Sequence, residues 1–122
     1  MALLGQFGPT RVLLLSDLGR SGQSALLQRH PDLKTDILVC GLPSHSEPLS
    51  DALLTQLHPQ LIIITDAEFP ASARAPSKLR DRLSTNSAPV VYTRSCGSII
   101  IEFTKTGWSL RTMDGHRYPP RT

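Results

Sequence analysis

The chain alternates short apolar runs with polar segments that contain Gly and Pro. Two runs, Val12–Leu15 and Leu61–Thr65, are continuous and therefore typical of strands that are buried on both faces. Other segments carry apolar residues at helical spacing, as in Leu49–Leu57. The pattern predicts strands at 2–7 and 11–16, then a helix at 22–29, a strand at 36–40, a helix at 49–57, a strand at 61–65, a helix at 77–83, and strands at 89–93, 98–103 and 108–112.

Turn residues define how these elements are connected. Gly8, Pro9 and Thr10 separate the first two strands, which predicts a hairpin. Ser21 is expected to cap the first helix, and Pro76 suits the first position of the third helix. The last two predicted strands are expected to form an antiparallel hairpin on the edge of the sheet, and the polar, proline-rich tail is expected to fray.

This order of elements predicts an α/β fold, with a mixed sheet and flanking helices, over residues 1–113 and a flexible tail over 114–122. Carboxyl ends of parallel strands meet at one edge of a sheet, where ligands bind in such folds. We therefore expect Asp17, the loop 41–48 and the loop 66–75 to lie on one rim. Because Asp is also common where turns begin, Asp17 has a purely structural interpretation as well.

Composition and charge narrow the class of protein. The chain has 122 residues, 39% of them hydrophobic, as expected for a single folded domain. No apolar run approaches the roughly 20 residues that a membrane helix needs. The net charge is +3, and Arg outnumbers Lys, which suits phosphate contacts. The densest basic segment is a candidate nucleic-acid contact, with a solvated helix face as the alternative; it comprises Arg74, Lys78, Arg80 and Arg82.

The sequence gives little support for a catalytic cysteine or for a phosphate-binding loop. The two cysteines, Cys40 and Cys96, form either one disulfide or, as we prefer, two free thiols with Cys40 buried. Cys40 and His45 do not form a convincing nucleophile and base, because Cys40 ends a predicted buried strand. A phosphate-binding loop is disfavoured, since Gly22 is followed by Gln23 where the motif requires Lys.

The order of several segments resembles a known family. The resemblance is to the C-terminal half of a metallo-β-lactamase-fold domain. It rests on four segments that follow one another in the same order as in that family: LLLSDLG, DILVCGLPSHSEPLS, HPQLIIIT and VVYTRSCGSIII. The version attached to ComEC-type DNA-uptake competence proteins is the most similar, with segments such as LLTGDL and DVLKVPHHGS. The resemblance covers residues 2–104 and implies half of an αββα sandwich.

The family's metal ligands carry over unevenly. Asp17 matches an aspartate that binds metal in active members, whereas the histidines of HHGS fall at Leu42 and Pro43. His45 lies two or three residues away and could act as a ligand only in a reshaped loop. The histidine of the later HP element falls at Ala75, and HxHxDH has no counterpart in the chain. Because a hydrolytic zinc site needs about three protein ligands, the resemblance implies a degenerate metal site.

We therefore expect a non-catalytic module of a DNA-uptake system, binding the DNA backbone or docking on a protein. One alternative is a metal-dependent hydrolase or nuclease whose site is completed by another chain or by a missing N-terminal half; only this alternative implies zinc or manganese. A second alternative is a structural interaction domain. A half-sandwich would leave an apolar sheet face bare, which predicts a homodimer or pairing with the other half. The resemblance implies attachment to a bacterial inner-membrane protein.

Overall fold

The computed structural model describes residues 2–43 and 48–118. The main sheet consists of β1 (Leu3–Phe7), β2 (Thr10–Leu14), β3 (Ile37–Cys40), β4 (Leu61–Ile64) and β5 (Val90–Tyr92) in that spatial order. β1 is antiparallel to β2, and the other neighbours are parallel. The helices are α1 (Arg20–Arg29), α2 (Asp51–Leu57), α3 (Ser77–Ser84) and the single turn α4 (Thr93–Cys96). The predicted α/β class, with a mixed sheet and flanking helices, is confirmed.

One face of the main sheet is covered by helices. Leu53 and Leu57 of α2 and Leu79 and Leu83 of α3 are buried together with one face of the sheet. That face is formed by Leu13 of β2, Leu38 and Cys40 of β3, and Ile62 and Ile64 of β4. Leu26 and Leu27 of α1 pack against the same cluster. Full burial of a leucine side chain contributes about 1.5–3 kcal/mol, so this layer supplies much of the driving force for folding.

The opposite face is covered by a second, smaller sheet of β6 (Ile99–Phe103), β7 (Trp108–Thr112) and β8 (Arg117–Tyr118). Trp108 and Leu110 are buried against Ile37, Leu61 and Ile63 of the main sheet. The prediction that this hairpin lies on the sheet edge was therefore wrong. Because alternate residues of β7 are apolar, the hairpin gains more by covering an apolar sheet face than by extending its edge.

The second sheet corrects one further expectation and includes part of the C-terminal segment. The face expected to be bare is largely covered, and an exposed apolar remainder lies beside β1, where Leu3 and Leu14 are exposed. The tail expected to fray contains β8, whose Arg117 pairs with Arg111 and whose Tyr118 pairs with Leu110. Residues 119–122 lie outside the described ranges.

Two predicted helix starts also differ in detail. α1 begins after Gly19, with no side-chain cap, so Ser21 lies inside its first turn. A Cβ on Gly22 would lie 2.3 Å from Cδ1 of Leu18, so the close approach of that side chain requires glycine here. Pro76 is the residue before α3 rather than its first member. The start of α2 is capped by Ser50, whose Oγ accepts the N–H of Leu53 at 3.2 Å.

Candidate functional site

The rim predicted at the carboxyl ends of the strands exists where the structure describes it. Gly41 directly follows β3, Thr65 directly follows β4, and Ser16 lies two residues after the end of β2. These three strands are neighbours in the sheet and parallel. The N–H of Gly41 donates to the carbonyl oxygen of Ser16 at 2.5 Å. A Cβ at Gly41 would lie 3.1 Å from that oxygen, so glycine permits the close approach of the two segments.

Asp17 lies in the turn after β2, with an exposed side chain. His45, the other predicted metal ligand, lies outside the described residues. Among residues 2–43 and 48–118, no three His, Cys, Asp or Glu side chains come together as a metal site would require. The zinc or manganese site therefore stays a prediction that depends on residues of the loop 44–47 or of another chain.

Asp66, which follows Thr65, fastens the neighbouring loop. One carboxylate oxygen accepts the N–H of Arg94 at 2.9 Å, and the other accepts the N–H of Ala75 at 3.1 Å. Its backbone N–H donates to Oγ1 of Thr93 at 2.9 Å, and that hydroxyl donates to the carbonyl oxygen of Asp66 at 2.7 Å. Asp66 thus holds both ends of the loop 66–75 against the start of α4.

Beside Asp66 lies an open cleft of about 670 Å³ between the main sheet and the second sheet. Its floor is apolar, with Val39, Ile63 and Ile99, and its polar rim includes Glu68 and Arg94. Glu68 Oε2 lies 3.3 Å from Nε of Arg94, so the charge of the exposed carboxylate is matched locally. The sequence analysis did not predict this cleft, because it depends on the position of the second sheet.

The four candidate nucleic-acid contacts have different environments. Arg74 lies 3.4 Å from Oε1 of Glu68 and donates from Nε to the Glu68 carbonyl oxygen at 2.7 Å. Its guanidinium also covers the ring of Phe69, 5.6 Å from the centroid. Lys78 and Arg80 are exposed on α3. Arg74 is therefore engaged in the loop that contains Glu68, while the two helix residues face solvent.

Arg82 has mainly intramolecular contacts. Its NH1 donates to the carbonyl oxygen of Leu49 at 2.8 Å and to Oδ1 of Asp51 at 3.0 Å, and its NH2 donates to the carbonyl oxygen of Pro48 at 3.0 Å. At 100° per residue, Lys78 and Arg82 are about 40° apart around α3, whereas Arg80 is roughly 160° from either. The four side chains therefore do not form one continuous patch.

The two thiols lie on opposite faces of the main sheet and are free. Burial raises the pKa of Cys40 to about 12. Burial is also the main reason that the pKa of Cys96 is raised, with the carboxylate of Asp114 acting in the same direction. The preference for two free thiols is confirmed, and a protonated Cys40 is a poor nucleophile at neutral pH.

A surface that the sequence analysis left unassigned is the edge formed by β1. Three large apolar residues of this strand are substantially exposed, namely Leu3 59%, Leu4 47% and Phe7 47%, and Leu14 of β2, which pairs with Leu3, is 40% exposed. The strand carries no charged residue. Phe7 stacks on Phe103 of β6, with ring centroids 4.4 Å apart, so this end of the edge is held by the second sheet. We call the outer side of Leu3–Phe7 the β1 edge.

The outer face of the second sheet presents two arginines in register. Arg111 and Arg117 are directly paired across β7 and β8, an arrangement that is unfavourable for like charges. Glu102 Oε1 lies 3.8 Å from NH2 of Arg111. Ile100, Glu102 and both arginines line a shallow cleft of about 400 Å³. This face therefore has a surplus of positive charge.

No protein-family model matches the sequence, and no curated protein matches it either. No helix among the described residues is long and apolar enough to cross a membrane.

Proposed function

We propose that this chain is a non-catalytic docking module that adds the β1 edge to the sheet of a partner protein. The observation that carries this proposal is an edge strand without charged residues, three of whose five side chains are large, apolar and about half exposed. Edge strands of proteins that stay apart usually carry charges, prolines or bulges that prevent pairing. The β1 edge has none of these.

Backbone geometry supports the same proposal. The N–H of Arg11 donates to the carboxylate of Asp36 at 2.8 Å, and the N–H of Asp36 donates to the Arg11 carbonyl oxygen at 2.9 Å. Both backbone groups of Arg11 thus face β3. Gln6 is paired with Arg11, and bonding alternates along an antiparallel pair. The N–H and C=O groups of Gln6, and of Leu4 two residues earlier, therefore point away from the sheet.

The resemblance to the C-terminal half of a ComEC-type metallo-β-lactamase-like domain gives this module a proposed setting. In that setting the chain works beside a bacterial inner-membrane DNA-uptake protein, without a competent metal centre of its own. The partner of the β1 edge is then a protein of the same machinery.

The experiment is a binding titration with an extended peptide as the probe. A fluorescein-labelled peptide with the sequence of residues 2–7 and a solubilising lysine tail is titrated with the protein, and fluorescence anisotropy is measured. We expect saturable binding that is lost with a peptide carrying proline in place of its second leucine. The titration uses protein at a concentration where it is monomeric. Because proline removes one donor and fixes φ, equal binding of both peptides, or binding of neither peptide to the monomer, would refute docking through the β1 edge.

DNA backbone binding is a second candidate, favoured by the paired Arg111 and Arg117 and by exposed Lys78 and Arg80. Phosphate contacts release counterions, so an affinity that depends on them falls steeply as salt is added. A single-stranded oligonucleotide titrated at two salt concentrations tests this candidate. Affinity that does not change with salt would count against it.

A further inference from the structure

We infer that the occupant of the β1 edge is a second copy of this chain, paired antiparallel about a two-fold axis at Gly5. This inference rests on the proposed function, since it names the partner of the same surface. The inference follows from the complementarity between β1 of one copy and β1 of a second copy running in the opposite direction. The outward backbone groups, the side chains and the charges of the two strands all fit this arrangement.

The outward backbone groups of β1 can pair with those of a second, antiparallel β1. Leu4 and Gln6 carry the outward N–H and C=O groups, and they lie symmetrically on either side of Gly5. When the strand is reversed about Gly5, Leu4 of one copy lies opposite Gln6 of the other. The backbone N–H and C=O groups of the two residues in each pair then point toward each other, as a hydrogen-bonded antiparallel pair requires. All four outward donors and acceptors of Leu4 and Gln6 are satisfied in each copy.

The side chains match in the same register. Leu3 and Phe7 lie on the same face of β1, and in the reversed strand each lies opposite the other. An aromatic ring opposite an aliphatic side chain is a favourable cross-strand pair. Leu14, paired with Leu3 inside one copy, extends this apolar row. Burial of the row removes the exposed apolar surface that the second sheet leaves beside β1.

Gly5 suits the position on the axis. The two copies of this residue form a non-hydrogen-bonded pair, in which the backbones approach to about 4.5 Å between Cα atoms. The glycine leaves room there for the ring of Phe7, whose Cε2 would lie 3.0 Å from a Cβ at this position. Residues 2–7 carry no charge, so the reversed strand meets no like-charge repulsion.

The first test measures the mass of the full chain by sedimentation equilibrium over a range of concentrations. We expect the mass to rise from 13.4 kDa toward twice that value. Leu4→Pro removes an outward N–H that makes no bond to β2, so we expect a folded chain that stays monomeric. Leu4→Ala is the matched control, because it keeps this N–H, and we expect it to dimerise still, with no more than tenfold weaker affinity. A constant monomer mass in the wild type, or a dimer unaffected by Leu4→Pro, would overturn the inference.

The second test reads the register directly and does not depend on Leu4→Pro folding. In the proposed dimer a Gly5→Cys side chain faces its own copy, so mild oxidation should give a disulfide-linked dimer. The tip of the Phe7 ring must move slightly to admit it. In Leu3→Cys the two thiols are about four residues apart along the strands, roughly 13 Å, and should not be linked. Equal cross-linking of both variants would overturn the two-fold register.

Peptide binding without self-association would leave the proposed function standing and refute only the second copy as occupant.

Discussion

The side-chain oxygen of Gln23 accepts the backbone N–H of Ser50 at 2.7 Å, deep between α1 and α2. The amide nitrogen of Gln23 donates to the carbonyl oxygen of Leu18 at 3.1 Å. Gln23 is only 1% exposed. One buried polar side chain thus connects the turn before α1 to the residue that caps α2.

We expect Gln23→Ala to lower the free energy of unfolding by about 1–3 kcal/mol, because the N–H of Ser50 then stays buried without this acceptor. Chemical denaturation followed by circular dichroism measures the change. Gln28→Ala, on the exposed side of the same helix, is the control and should change stability by less than about 0.5 kcal/mol. Equal stabilities of the two variants would show that the bond to Ser50 contributes nothing.

A second prediction concerns Cys40 and alkaline pH. The pKa of its thiol is raised by burial from 9.0 to about 12, so the native state keeps this proton at a pH where the unfolded chain has lost it. The corresponding stability is complete below about pH 9 and decreases as the pH rises toward 12. The slope approaches about 1.4 kcal/mol per pH unit.

Denaturation of the wild type and of Cys40→Ala at several alkaline pH values measures this dependence. The difference between the two curves isolates the thiol, because Tyr92 and Cys96, whose pKa values are also raised, are present in both proteins. We expect the wild type to lose its advantage over Cys40→Ala as the pH rises. Parallel curves would mean that Cys40 titrates normally in the folded chain.

The sequence was sufficient to predict the five strands of the main sheet. Continuous apolar runs such as Leu61–Ile64 have few alternatives to a buried strand, and proline or glycine marks most of their boundaries. The alternation in β7 correctly indicates one buried face, but alternation does not say which surface buries it. Packing of Trp108 on the main sheet, with its Nε1 donating to Oε1 of Gln60 at 3.1 Å, is a long-range choice that local pattern does not contain.

The candidate site was less predictable for the same reason. Arg74 and Arg82 are indistinguishable from Arg80 by composition, yet their guanidiniums bind Glu68 and the carbonyl groups before α2. Such partners are distant in sequence, so a basic run alone predicts charge and not accessibility. The β1 edge does have a signal in the sequence, because an uncharged first strand in a predicted hairpin indicates an unprotected sheet edge.

A third prediction addresses the hydrolase alternative through Asp17. We expect Asp17→Ala to leave the metal content of the purified protein unchanged after it is offered zinc and manganese. The exposed carboxylate has no two further ligand side chains beside it within the described ranges, and a protein zinc site needs about three. Elemental analysis measures the content. About one metal per chain, lost in Asp17→Ala, would contradict this prediction and direct attention to His45.

The last prediction separates two roles among the basic residues of α3. Arg82 donates from both terminal nitrogens to the carbonyl oxygens of Pro48 and Leu49, and lysine has no planar fork to replace these bonds. We therefore expect Arg82→Lys to lower the free energy of unfolding by about 1–3 kcal/mol. Arg80→Lys, on the exposed side of the helix, should leave stability within about 0.5 kcal/mol of the wild type.

Variants of Arg80 and Arg82 also test whether α3 binds DNA. If the exposed cations of α3 contact phosphates, Arg80→Ala should weaken oligonucleotide binding and reduce the dependence of affinity on salt by about one phosphate contact. Arg82→Lys keeps its charge and should leave that dependence unchanged at temperatures where it is folded. Thermal denaturation and anisotropy titrations on both proteins measure these effects. A loss of binding in Arg82→Lys with unchanged stability would identify Arg82 as the contact residue and contradict its assignment to the scaffold.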